Sequence, residues 1–153
     1  MARHRPEVLG FKLGSEWNPA YSSDKNRSEI MEFIREGDDL NNWKELVTYQ
    51  NFERHGKSSP EEILNKLKAN REKECPGATT WNVIDKSESR ILYEWQAKRC
   101  LNWPEQSELA TIIVGKDNLF LLHYAAKVHE LAPDVRAQWI KRFSDAAIQP
   151  AQK

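Results

Sequence analysis

The sequence predicts an α+β sandwich: an antiparallel sheet of about six to seven strands packed with two main helices. Three observations carry this. Residues 91–98 alternate apolar and polar side chains with a period of two. Residues 108–128 hold two β-forming runs joined by Lys116-Asp117-Asn118, a tight turn that makes them antiparallel. Two segments of helical apolar spacing, opening at Ser59-Pro60 and Pro133-Asp134, each follow a group of strands and can cover an apolar sheet face.

The elements follow in chain order. Val8 to Trp17 reads as a loose strand that Asn18-Pro19 breaks, with Ser22-Ser23-Asp24 as the connection. Glu29 to Glu36 is rich in β-branched and aromatic residues and ends at the turn Gly37-Asp38-Asp39. Trp43 to Phe52 is a strand entered through Asn41-Asn42. A helix follows, with Ser59 as N-cap, Pro60 at the first helical position and Glu62 completing a capping box. Ile63, Leu64 and Leu67 form its apolar stripe, Glu61, Lys66, Lys68, Arg71 and Glu72 its solvated face, and Cys75-Pro76-Gly77 its stop. Four strands come next: Thr80–Asp85, Arg90–Cys100, Glu108–Gly115 and Leu119–Val128. In the second, Ile91, Tyr93, Trp95 and Ala97 point one way and Glu94, Gln96 and Lys98 the other. In the last helix Val135, Trp139, Phe143 and Ala146 share a face. Residues 149–153 are expected to form a frayed tail.

A length of 153 residues suits a single domain, 1–153, with its core at about 28–148 and tails at 1–7 and 149–153. Hydrophobic residues make up 39% and charged residues 30%, too apolar for a disordered chain and too polar for a membrane protein. Lys plus Arg equal Asp plus Glu at 23 each, and this zero balance argues against nucleic acid as a partner. The longest apolar run, Leu119 to Leu122, is far short of the roughly 20 residues a membrane helix needs, so no transmembrane segment is expected. The start, Met1 to Lys12, is not a signal peptide, because Lys12 ends its apolar run early. The chain as written is therefore expected in the cytoplasm, and in the periplasm or secreted if a leader has been removed.

Catalytic and metal motifs are weak. Gly56-Lys57-Ser58 lacks the glycine five positions earlier that a phosphate loop needs, since position 51 is Asn51. Asp38 to Asn42 lacks the glycine and terminal glutamate of a calcium loop. Cys75, Cys100, His123 and His129 include none of the close ligand pairs of a zinc site, so no metal or cofactor is expected. No Gly-x-Ser-x-Gly elbow occurs. Glu94, Gln96, Glu108 and His123 are candidates for one polar sheet face; in a cleft such carboxylates do acid–base work, and on an open face they are only wet. Trp43 and Trp103 lie in loop contexts where an aromatic ring can anchor a ligand or plug the end of the sandwich. Cys75 and Cys100, with twenty-four residues between them, are a disulfide candidate, and a bridge and two separate thiols are left equally open.

The run Asn42-Trp43-Lys44-Glu45-Leu46-Val47-Thr48 resembles an uncharacterised bacterial family of small, often exported proteins. So do Cys75-Pro76-Gly77 followed by Trp81, Leu92-Tyr93-Glu94-Trp95 followed by Cys100, and Glu108, Gly115, Tyr124 and Trp139-Ile140. The likeness covers roughly residues 28–148. The strand order is also similar to that of the Mog1/PsbP-type α/β/α sandwich, whose best-known members are binding or assembly proteins and not enzymes. The resemblance implies that Cys75 and Cys100 pair in exported relatives. A clear fold signal beside weak catalytic ones favours a non-catalytic binding or accessory domain with a protein or small-molecule partner. The alternatives are a small hydrolase or lyase using Glu94, Glu108 and His123, and a carrier with a cavity between sheet and helix.

Overall fold

The structure is a computed structural model that describes residues 7–149. These residues form β1 (Val8–Gly10), β2 (Trp17–Lys25), β3 (Ser28–Arg35), β4 (Glu45–Glu53), α1 (Pro60–Glu74), β5 (Thr79–Lys86), β6 (Arg90–Ala97), β7 (Gln106–Val114), β8 (Asn118–Ala126), α2 (Pro133–Ser144) and β9 (Ala147–Gln149). Seven strands make one antiparallel sheet in the order β2-β3-β4-β8-β7-β6-β5, and β1 pairs with β9 in a separate ribbon. This is an α+β fold. No helix among the described residues is long and apolar enough to cross a membrane.

The middle of the sheet is dry on both sides. In β7, Ala110 and Ile112 face one way while Leu109 and Ile113 face the other, and all four are buried. Strands covered on both faces read as continuous apolar runs, as Leu109 to Val114 and Leu119 to Leu122 do. Each helix covers a different face, and both lie against β6 and β7. Helix α1 sets Leu64 against Ile91, Tyr93, Trp95, Ala110 and Ile112. Helix α2 sets Trp139 and Phe143 against Leu92, Leu109, Ile113 and Tyr124, with Trp17 and the β1–β9 ribbon on the same side. The Trp139 ring stacks on Tyr124 at 4.2 Å between centroids and meets Trp17 edge-on at 5.6 Å. Ser59 caps α1 by accepting a hydrogen bond from the Glu62 backbone N–H at 3.1 Å.

Three expectations are corrected. Val8 to Trp17 is not one strand: β1 ends at Gly10 and β2 begins at Trp17. Asn18-Pro19 and Ser22-Ser23-Asp24 lie inside β2 and neither break nor connect it. A proline fits there because β2 is an edge strand, where its missing N–H costs no ladder bond, and the register shifts between Pro19 and Tyr21. The supposed tail begins with paired Gln149, opposite Val8, while 150–153 lie outside the described residues. Glu7 is likewise tied down, its carboxylate accepting from the backbone N–H groups of Asp117 and Asn118 at 2.8 and 3.0 Å.

Trp139→Ala should cost about 3–5 kcal/mol of stability, because it removes the largest ring shared by α2 and the sheet. Urea unfolding followed by far-UV circular dichroism measures this; a loss below about 1 kcal/mol would mean that α2 is not held through this ring.

Candidate functional site

Because both helices sit chiefly over β6 and β7, the stretch of the α1 face that carries Leu46 and Thr48 of β4 and His123 and Ala125 of β8 is left open. A cleft of about 350 Å³ opens there. Its floor is Leu46 and Thr48 of β4, His123 and Ala125 of β8, and Glu108 of β7. Its walls are Leu67, Asn70, Arg71 and Glu74 of α1 and the rings of Trp81, Tyr93 and Trp95. Trp43 and Trp103 close the rim from two loops. Four of the six tryptophans therefore line one opening, which singles it out from the other depressions on the molecule.

The structure divides the six candidate site residues. Glu108, His123, Trp43 and Trp103 meet in this cleft. His123 Nδ1 and Glu108 Oε1 lie 3.3 Å apart, with side chains 16% and 15% exposed. Glu94 and Gln96 do not join them, which corrects the single polar face. Trp95 pairs with Glu108 across β6 and β7, so the even-numbered residues of β6 face α2 instead. Glu94 and Gln96 line a depression of about 280 Å³ with Asn82 and Arg136, and Glu108 borders both openings. There Glu94 accepts from Arg136 Nε and Nη2 at 2.8 and 2.6 Å and from Asn82 Nδ2 at 2.8 Å. The Arg136 bonds lower its pKa from the usual carboxylate value, against the opposing effect of burial.

Arg71, expected on a solvated helix face, is instead a wall of the cleft. It lies four residues after Leu67 and seven after Leu64, on the same stripe. Its guanidinium sits 4.0 Å from the Trp95 ring centroid and 6.0 Å from that of Trp103. Arg71 Nε donates to Thr79 Oγ1 at 3.2 Å. Burial pushes its pKa down, and the more distant carboxylates of Glu108 and Glu74 partly offset this. Burial also lifts Tyr93 well above the usual phenol value, with Glu108 adding to it, so Tyr93 stays protonated. Other cations cover the rim: Lys127 Nζ stands 4.2 Å from the Trp43 ring and Lys68 Nζ 5.8 Å from Trp81.

A disulfide fixes the rim. Cys75, the C-cap of α1, bonds Cys100, with Cα atoms 6.2 Å apart. Cys100 and Trp103 then close a tight turn through two backbone hydrogen bonds of 3.1 and 2.8 Å. Leu101 inside that turn takes a positive φ of 54° and is 76% exposed. The bridge thus joins the end of the helix carrying Arg71 to the loop carrying Trp103. Among the described residues no group of three or more His, Cys, Asp or Glu could hold a metal ion; His129 instead faces Glu105 at 3.3 Å.

A second, roomier cavity, about 780 Å³, opens at the other end of β4 and β8, between the β2–β3 and β7–β8 turns. None of the six candidates lines it. Several of its groups have partners within the chain: Arg27 meets Glu53 at 3.3 Å, Arg54 Nη1 donates to the Gly115 carbonyl at 2.8 Å, and the backbone N–H groups of Asp117 and Asn118 donate to Glu7, while Arg54 Nε is buried without a hydrogen-bond partner among the described residues. No family model matches the chain, and no curated protein is a significant match to it.

Two outcomes follow from this geometry. Replacing both Cys75 and Cys100 by serine should cost about 3 kcal/mol, for a loop closed across 25 positions, and should increase hydrogen exchange at 98–105 before that of the sheet. Glu94 has a lowered pKa when folded, so its contribution is present above the unfolded value and is lost as pH falls through the folded one. The wild type should exceed Glu94→Gln by about 1 kcal/mol at neutral pH and converge with it once the pH has fallen below the lowered folded-state value, as chemical denaturation across pH would measure.

Proposed function

We propose that the chain is a non-catalytic binding domain that holds a small flat ligand in the aromatic cleft between α1 and the sheet. The observation that carries this is the convergence of Trp43, Trp81, Trp95 and Trp103 with Glu108, His123 and Arg71 on one opening. Apolar walls with a few placed polar groups are the usual make-up of a small-ligand site, and about 350 Å³ suits a ligand of one or two rings. The bridged Trp103 turn keeps one wall in place before the ligand arrives, which reduces the ordering cost of binding. Kinship with the bacterial family of small, often exported proteins, and with the Mog1/PsbP-type sandwich, belongs to the same proposal, and the paired Cys75 and Cys100 agree with it.

The Glu108–His123 pair supports a second reading, a small hydrolase or lyase, since a carboxylate can orient an imidazole for general base work. Against it, Glu94, one of the three residues that this reading joins, lies on the opposite face of the sheet.

Titration with indole, followed by the tryptophan side-chain N–H signals in NMR, tests the binding reading. Saturable shifts should centre on Trp103 and Trp43, and Trp103→Ala should weaken binding about tenfold. Shifts confined to the opposite face would refute it. Hydrolysis of 4-nitrophenyl acetate that disappears in both Glu108→Gln and His123→Ala would favour the enzyme instead.

A further inference from the structure

We infer that the ligand carries one planar carboxylate beside its flat ring, and that Arg71 receives it. This rests on the cleft being the binding site. Arg71 is held as a preset fork. The Trp95 ring fixes the guanidinium plane from one side, and Thr79 Oγ1 accepts from Nε, the only one of its nitrogens engaged by a hydrogen bond within the described residues. Nη1 and Nη2 are left as donors, and Arg71 lines the cleft they can serve. Two coplanar N–H groups match the two oxygens of a carboxylate.

Among the described residues no carboxylate fills that role. Glu74 and Glu108 act on Arg71 only from a distance, and neither forms an ion pair with it. Arg136 on the other sheet face shows the alternative, a guanidinium held by both oxygens of Glu94. A half-buried cation without such a partner carries a desolvation cost that an incoming anion would relieve.

The surrounding charge favours an anion of a single negative charge. Glu74 and Glu108 line the cleft beside Arg71, while Lys127 and Lys68 stand over the Trp43 and Trp81 rings, so at the Arg71 fork a dianion such as a phosphate monoester meets more repulsion from the two carboxylates than a monocarboxylate does. The aromatic walls then take the ring, with Trp103 lying over the guanidinium edge. The class defined is a small aromatic or similarly flat monocarboxylate.

The experiment compares indole, indole-3-acetate, 1-naphthoate and 1-naphthyl phosphate on the full chain by calorimetry and tryptophan fluorescence. Indole-3-acetate should bind about tenfold more tightly than indole, a preference set by one charged fork. Naphthoate should bind more tightly than naphthyl phosphate. Arg71→Gln should abolish the carboxylate preference, bringing the affinities for indole and indole-3-acetate together whatever their absolute level, and Arg71→Lys should keep only part of it. Thr79→Val touches no ligand and leaves the Trp95 contact in place; it should reduce the preference severalfold, and it serves if the Arg71 variants melt early. Equal affinity for indole and indole-3-acetate would overturn the inference and leave the cleft standing. Binding of neither would overturn both. Tighter binding of naphthyl phosphate than of naphthoate would overturn the assignment to a monocarboxylate.

Discussion

The arrangement depends on one constraint: β7 and β8 are buried on both faces, and two short helices must supply that cover. Both helices settle over β6 and β7, from opposite sides. On the α2 side the β1–β9 ribbon, Trp17 and the segment holding Phe11 and Leu13 complete the layer. On the α1 side nothing equivalent follows the helix outward, so the cover stops partway along β7 and β8. Where it stops, side-chain character changes along single strands. In β7, Ile112 and Ala110 lie under α1 and Glu108 lies at the opening. In β8, Leu121 lies under the helix and His123 at the opening. The cleft is the consequence of uneven helix cover on an evenly apolar sheet.

A helix with so narrow a stripe needs another anchor. Leu64 is its one fully buried leucine, and Ile63 and Leu67 are only partly covered. The bond from Cys75 to Cys100 supplies that anchor by fixing the end of α1 to the loop after β6. The same loop holds Leu101 at a positive φ, a conformation that costs an ordinary L-residue about 1 kcal/mol. That cost is tolerated beside an exposed leucine side chain, and the conformation it maintains is the turn that presents Trp103.

Much of this was legible in the sequence, for identifiable reasons. The alternation of β6 and the spacing of Trp139 and Phe143 survive because each element has one wet side. Ser59-Pro60 announces its helix through cap chemistry alone. The failures have the same physics behind them. Glu94 and Glu108 could not be assigned to faces, because β7 is apolar on both sides and its sequence carries no alternation to fix its parity against β6. β1 and β9 have three residues each, too few for any period to appear. Pro19 hid β2, because edge position is a property of the assembled sheet and not of the local sequence. Arg71 is readable from its offset to Leu64 and Leu67, which places it on the buried stripe against the general preference of arginine for solvent.

Arg71 and Arg136 together show where the chain departs from simple stability. Both sit on helices, each against its own face of β6. Arg136 donates two bonds to Glu94, which raise its pKa and fasten α2 to the sheet. Arg71 is fixed as firmly in direction, by Trp95 and Thr79, yet it receives no carboxylate, and burial lowers its pKa. Selection for stability alone favours the first arrangement wherever a glutamate is near, and Glu74 and Glu108 both line the cleft. Glu108 faces His123 instead of Arg71, so the cleft keeps its acceptor pair and its donor fork apart. Two polar groups of opposite sense, held separately on aromatic walls, are what supports the proposed reading of the cleft as a site for a small molecule with distinct ends.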